Sequence, residues 1–125
     1  MNNKREKKLT EIQLITGILF LVSFIVSLSL TYDSLKKYNN KNILSNKQRS
    51  RIYYINRIVV TILLLIYLYI SYEQYKIGGK TKTERKILLD EVIAGVIAVI
   101  AGLIVLYDSY LSFKTNEINV ENPEI

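Results

Sequence analysis

The sequence predicts an all-α protein: an integral membrane three-helix bundle whose helices extend beyond the bilayer. Three observations carry that expectation. Half of the 125 residues are hydrophobic, and they are gathered into three runs separated by polar clusters. The runs "IVVTILLLIYLYI" and "VIAGVIAVIAGLIVLY" are apolar on every side, whereas the helices of a small soluble bundle need a polar stripe. From Ile12 to Tyr32 there is no charged residue, and roughly 20 apolar residues at about 1.5 Å each cross a bilayer. The expected spans are 12–32, 55–72 and 88–107. The last two need their flanks to reach the required length.

The elements follow in order. Residues 1–11, "MNNKREKKLTE", form a basic arm carrying Lys4, Arg5, Lys7 and Lys8. A basic arm before an apolar run invites a signal-peptide reading, but this run exceeds the ~7–15 residues of a signal core. An uncleaved helix is therefore expected. Helix one should continue through "DSLKKY" and dissolve at "NNKN", since Asn favours turns. Ser45 is the expected N-cap of helix two, which should run to Lys76 or Ile77. Gly78 and Gly79 stop it. Thr81 and Glu84 have capping-box spacing and should start helix three. Residues 12–115 thus form one transmembrane domain. Residues 116–125, with the only proline, read as an acidic flexible tail.

Absences narrow the chemistry. Without cysteine there are no disulfides, thiolate nucleophiles or zinc–sulfur sites. Without histidine, the commonest general base and transition-metal ligand is missing. No catalytic residue, metal ligand or cofactor is expected, and the chain is not expected to be an enzyme. Glu73, Asp90 and Glu91 offer an acidic cluster at one boundary, but hydrated helix-end charges account for them. The "GGKT" at 78–81 imitates the end of a phosphate-binding loop, yet position 74 is Gln where that loop needs glycine. A net charge of +6 does not imply nucleic acid as a partner, because the basic residues flank apolar spans.

Each apolar run ends in a tyrosine followed by an acid: Tyr32–Asp33, Tyr72–Glu73 and Tyr107–Asp108. Tyrosine favours the membrane–water boundary, so Tyr32, Tyr72 and Tyr107 are expected as interfacial anchors. Asp33 should face Lys36 and Lys37, and Glu73 should face Lys76, one helical turn on. Asp108 has no such cation. Arg57, about one turn inside the second span, needs a partner or must snorkel outward. An Arg57–Asp108 pair is expected, with Asp33 as the substitute.

Helix three carries Ala94, Ala98 and Gly102 at steps of four, and helix one offers Thr16, Ser23, Ser27 and Thr31. Small residues admit a neighbouring helix, and hydroxyls bond across to it or back to their own carbonyls. Helices one and three are therefore expected to pack together within one subunit, with a homo-oligomer through helix three as the alternative. An aromatic cap of Tyr38, Tyr53, Tyr54, Tyr110 and Phe113 is expected beyond the first turn. "KQRSR" at 47–51 should attract anionic headgroups.

The expected function is that of a small polytopic protein of the cell membrane, a non-enzymatic accessory or structural subunit. It would act through helix packing with itself or with a membrane-protein partner, the lipid bilayer being its constant neighbour. In size and span number the chain resembles some three-span phage holins, and in length it is similar to small multidrug transporters. It lacks the transporters' fourth span and the carboxylate deep in their first. A holin-like pore-former or small transporter is the alternative. Nine of the 17 Lys and Arg fall on the N-terminal side and eight on the other, so the positive-inside rule nearly ties. The N-terminus is expected on the cytoplasmic side. Richness in Ile, Lys, Asn and Tyr points to an AT-rich microbial genome.

Overall fold

A computed structural model describes residues 2–118 as three long helices: α1 (Asn2–Lys37), α2 (Asn46–Ile77) and α3 (Lys82–Ile118). Each is long and apolar enough to cross a bilayer. The arm at 1–11 is not a separate element. From Asn2 it forms the first turns of α1, and Leu9 within it is buried. α3 likewise runs past residue 115 to Ile118, and the rest of the expected tail, 119–125, lies outside the described residues.

Local chemistry sets the helix ends. Ser45 caps α2 by accepting from the Gln48 amide at 3.1 Å, and the Gln48 side chain accepts in return from the Ser45 amide at 3.0 Å. This reciprocal box satisfies two amides that an open helix start would leave bare. Gly78 ends α2 with φ +83°, where a side chain would be strained, and its amide donates to the Gln74 carbonyl. A Cβ on Gly79 would lie 2.6 Å from that of Glu84. The closeness follows from how α3 begins: Thr81 Oγ1 accepts from the Glu84 amide, and Glu84 Oε2 accepts from the Lys80 amide at 2.7 Å.

α2 is the middle of the assembly. It packs on α1 along one face and on α3 along another. Among the described residues no Cα of α1 lies within 8 Å of a Cα of α3. The expected pairing of helices one and three is therefore corrected, since both turn to α2. The α2–α3 seam is antiparallel and tight. Ser50 meets Ser112 at 3.3 Å, Leu64 lies over Gly102, and Leu68 lies over Gly95. A Cβ added at Gly95 would sit 3.1 Å from Leu68 Cδ1, tighter than ordinary contact, and 3.6 Å from the Leu68 Cα, so the Leu68 side chain rests against the glycine. Tyr54 closes this seam by stacking on Phe113, centroids 5.2 Å apart, and tilting against Tyr110 at 5.8 Å. These three form part of the expected aromatic cap. Tyr38, 87% exposed, stands apart from it.

The distribution of burial is inverted relative to a water-soluble fold. Among the described residues only Leu9, Leu30, Leu63 and Ile70 are buried apolar side chains, whereas eight polar or charged ones are buried. Most of the large aliphatic side chains face outward. In water such a surface would be one continuous sticky patch.

Candidate functional site

The buried polar residues concentrate along the α1–α2 seam, and they bind across it at three levels. At the turn end, Asp33 is a hub. Its Oδ1 accepts from the Ile43 amide at 2.8 Å, and its Oδ2 from the Leu44 amide at 3.3 Å and Arg49 Nη2 at 2.9 Å. Arg49 also donates to the Leu44 carbonyl at 3.0 Å and to Asn46 Oδ1 at 2.9 Å. The turn that presents these amides needs Asn40 in the left-handed region at φ 57°, a conformation Asn tolerates. The Ile43 amide is the main reason the Asp33 carboxyl is held below the usual carboxylate range; partial desolvation opposes it and Arg49 adds to it.

At the far end the arrangement is reversed. Glu73 of α2 is buried and pairs with Arg5 of α1, and Lys76 approaches it at 3.5 Å. Between the ends, Asn56 Nδ2 donates to the Ser23 carbonyl at 3.2 Å and to Ser27 Oγ at 3.3 Å. Gln13 donates to the Tyr67 hydroxyl at 3.3 Å, and Phe20 meets the Tyr67 ring edge-on. Thr16 and Thr31 bond back to their own helix carbonyls.

These contacts give the tyrosine–acid pairs a shared geometry. Tyr32, Tyr72 and Tyr107 are all exposed. Lys36 lies over the Tyr32 ring at 4.8 Å and Lys76 over the Tyr72 ring at 5.3 Å, each four residues on. In both places the tyrosine holds a lysine outside while the acid turns inward to an arginine of the neighbouring helix. The expected Asp33 contacts with Lys36 and Lys37 are thus replaced by Arg49, and Lys37 bonds Asn46 Oδ1 instead.

The third pair differs. The seam contacts place Arg57 level with residues 107–109, the depth at which Asp108 was expected to meet it. Asp108 is nevertheless exposed, and it is the neighbouring Ser109 that is fully buried. Arg57 and Asp108 form no ion pair among the described residues, and Arg57 Nε is buried without a hydrogen-bond partner. The substitute fails too, since Asp33 is held by Arg49 near the turn, two helical turns from Arg57. Ala94, Ala98 and Gly102 are also divided. Gly102 is buried under Leu64, whereas Ala94 and Ala98 line an open groove. Toward α2, Asn56 is met by the Ser23 backbone carbonyl and the Ser27 hydroxyl.

The groove runs between α1 and α3 with α2 as its floor. One part, about 340 Å³, is lined by Gln13, Tyr67, Ser71, Gln74 and Glu91 beside Ala94, Gly95 and Ala98. Its continuation toward the helix ends, about 420 Å³, adds Glu6 and Thr10. Near the α1–α2 turn a further cleft of about 290 Å³ is lined by Ser27, Thr31, Ser34, Ser50 and Ser112. Among the described residues no three His, Cys, Asp or Glu side chains gather closely enough to hold a metal ion. No protein-family model, curated protein or solved structure matches this chain.

Sequence reasoning missed Arg5, Gln13, Arg49 and Asn56. For Asn56 a signal exists: a lone amide beside an apolar run is costly unless a neighbouring helix receives it. Replacing Asn56 with leucine should weaken the α1–α2 seam by about 0.6–1.7 kcal/mol, the range of interhelical hydrogen bonds in membranes. The unfolding midpoint in a mixed-micelle titration reads this directly, and an unshifted midpoint would deny Asn56 its bridging role.

Proposed function

We propose that the chain is a multi-pass protein of the cell membrane, with its N-terminus on the cytoplasmic side. It works without catalysis, as a subunit that packs helices. The groove between α1 and α3 is where a further transmembrane helix, from a second copy or a membrane-protein partner, would lie. One observation supports this above the rest: α1 and α3 both hold α2 and stay apart from each other. The resulting groove has small residues on one wall and amide and hydroxyl groups along its floor, the surface that favours close helix association in lipid. The outward-facing aliphatic side chains suit lipid as the surrounding solvent.

A photoreactive residue at Ala98, on the groove wall, tests the reading in intact membranes, with the same residue at the exposed Ile97 as control. Protein adducts at Ala98 and few at Ile97 are expected. Their size separates a second copy, which doubles the 14.5 kDa chain, from another protein. Adducts with lipid alone at both positions would overturn the packing role.

The polar lining supports a second reading. Serine, threonine and glutamine side chains line the groove and recur in the separate cleft near the turn. If copies closed that groove, it would become a polar path across the bilayer, as in a holin-like pore or small transporter. Ion flux from proteoliposomes distinguishes this from packing alone.

A further inference from the structure

We propose that the hairpin joining α2 and α3 carries a binding site for the headgroup of an anionic phospholipid. The inference rests on the membrane-spanning reading but not on the occupancy of the groove. Beside the Gly78–Gly79 turn lies a cleft of about 780 Å³, the largest of those described. Lys76, Lys82, Arg85 and Lys86 line it, with Tyr75 and Leu89 supplying apolar wall. Among the described residues no carboxylate lines it. The acid nearest in sequence, Glu84, is committed to capping, because its Oε2 accepts from the Lys80 amide.

The four cations differ in how far they are already neutralised. Lys76 shares Glu73 with Arg5, and Lys86 reaches Asp90 at 3.3 Å. Among the described residues the Arg85 side chain has only the Thr81 backbone carbonyl, at 3.4 Å. Lys82 has no hydrogen bond or ion pair among the described residues. Lys82 also opens α3, so the unpaired amides and the positive end of that helix add to the same field. A phosphate diester between Lys82 and Arg85 would meet both.

The opposite end of the molecule shows why this site is distinct from a general basic belt. There Arg49 is bound to Asp33, Lys37 to Asn46, and Lys36 lies on Tyr32. Lys47 and Arg51, of the stretch expected to attract headgroups, are also engaged. What sets the α2–α3 hairpin apart is that Lys82 and Arg85, neither of them paired with a carboxylate among the described residues, stand three residues apart beside one cleft.

Phospholipid chemistry fits the rest of the cleft. Tyr75 and Leu89 are half-exposed on the sides of their helices, where acyl chains would run. A zwitterionic headgroup would bring its own ammonium against four cations, so a headgroup with phosphate and no cation is selected. A free phosphate would gain nothing from the apolar walls.

The full chain in detergent is titrated with phosphatidylglycerol or phosphatidylcholine, and bound lipid is counted by native mass spectrometry. Phosphatidylglycerol should be retained over phosphatidylcholine. Each basic residue near an anionic headgroup is worth about fivefold in binding. The double variant Lys82→Gln/Arg85→Gln should therefore lose phosphatidylglycerol on the order of tenfold or more. Lys36→Gln/Lys41→Gln, which removes the same charge at the other end, should lose far less. Circular dichroism confirms that both variants keep their helices. Equal losses in the two variants, or full displacement of lipid by millimolar inorganic phosphate, would overturn the proposal. Vesicle flotation separates the underlying readings. A chain that does not float refutes membrane insertion, whereas one that floats without lipid preference refutes only this site.

Discussion

Exchanging Gly95 for leucine should lever α3 away from α2 while leaving the α1–α2 seam intact. A Cβ there would already stand 3.1 Å from Leu68 Cδ1 and 3.6 Å from the Leu68 Cα. The methyl can turn aside; the backbone behind it cannot. Overpacking of this kind costs about 1–3 kcal/mol in a well-packed interior, and leucine brings three further carbons beyond Cβ. Gly102→Ala should be milder. Its nearest obstacle is Leu64 Cδ1 at 2.7 Å, the movable end of a side chain. Cysteine pairs spanning each seam, introduced into a chain that has none, read the two effects separately. If Gly95→Leu leaves cross-linking between α2 and α3 unchanged, that glycine does not set the approach of the two helices.

Replacing Asp33 with alanine should open the α1–α2 turn more than any other single change at that end. The substitution strips an acceptor from the Ile43 and Leu44 amides and leaves Arg49, which is mostly buried, without its carboxylate. Exchanging the two charges, Asp33→Arg with Arg49→Asp, should not rescue the turn, because arginine cannot accept from the two amides. At the far end, Arg5→Glu with Glu73→Arg should restore much of what either single change loses, since that pair joins side chain to side chain. Protease cleavage within residues 38–45 measures the first case, and cross-linking of the helix ends the second. Rescue by the Asp33/Arg49 exchange would show that the amide contacts contribute little. Acid should act in the same direction as Asp33→Ala. The folded state holds the Asp33 carboxyl below its ordinary value. Its stabilising contribution is therefore complete above that value and fades as pH falls through the lowered one. Accelerated cleavage of the turn should appear only well into the acid range, and in Asp33→Asn it should be present already at neutral pH.

Hydropathy and capping chemistry made the helices legible. The uncharged run from Ile12 to Tyr32, Ser45, the Gly78–Gly79 stop and the Thr81–Glu84 spacing all lie where the structure uses them. Helix rotation was not legible, for a physical reason. A helix apolar on every side carries no pattern to say which face turns inward. Arg57 and Asp108 were accordingly placed at one depth on adjacent helices, but Ser109 rather than Asp108 turned inward. The small residues of α3 similarly announce a close neighbour without naming it, and α2 rather than α1 fills that place. The Asp33 hub depends on backbone amides in a turn, and side-chain spacing gives no sign of those.

The middle position of α2 also has a mechanical meaning. Three rods that each touch the other two form a closed triangle, in which no rod tilts without moving both neighbours. Among the described residues the backbones of the outer rods come close only to the central one, so the molecule is a strip with two separate hinges. Loosening the polar hinge of α1 should leave the glycine-lined one in place, and the reverse should hold for α3. Damage to the two hinges should accordingly add rather than compound, as expected for sites without shared contacts. Whatever lies in the gap would lock both hinges at once, and its departure would free both.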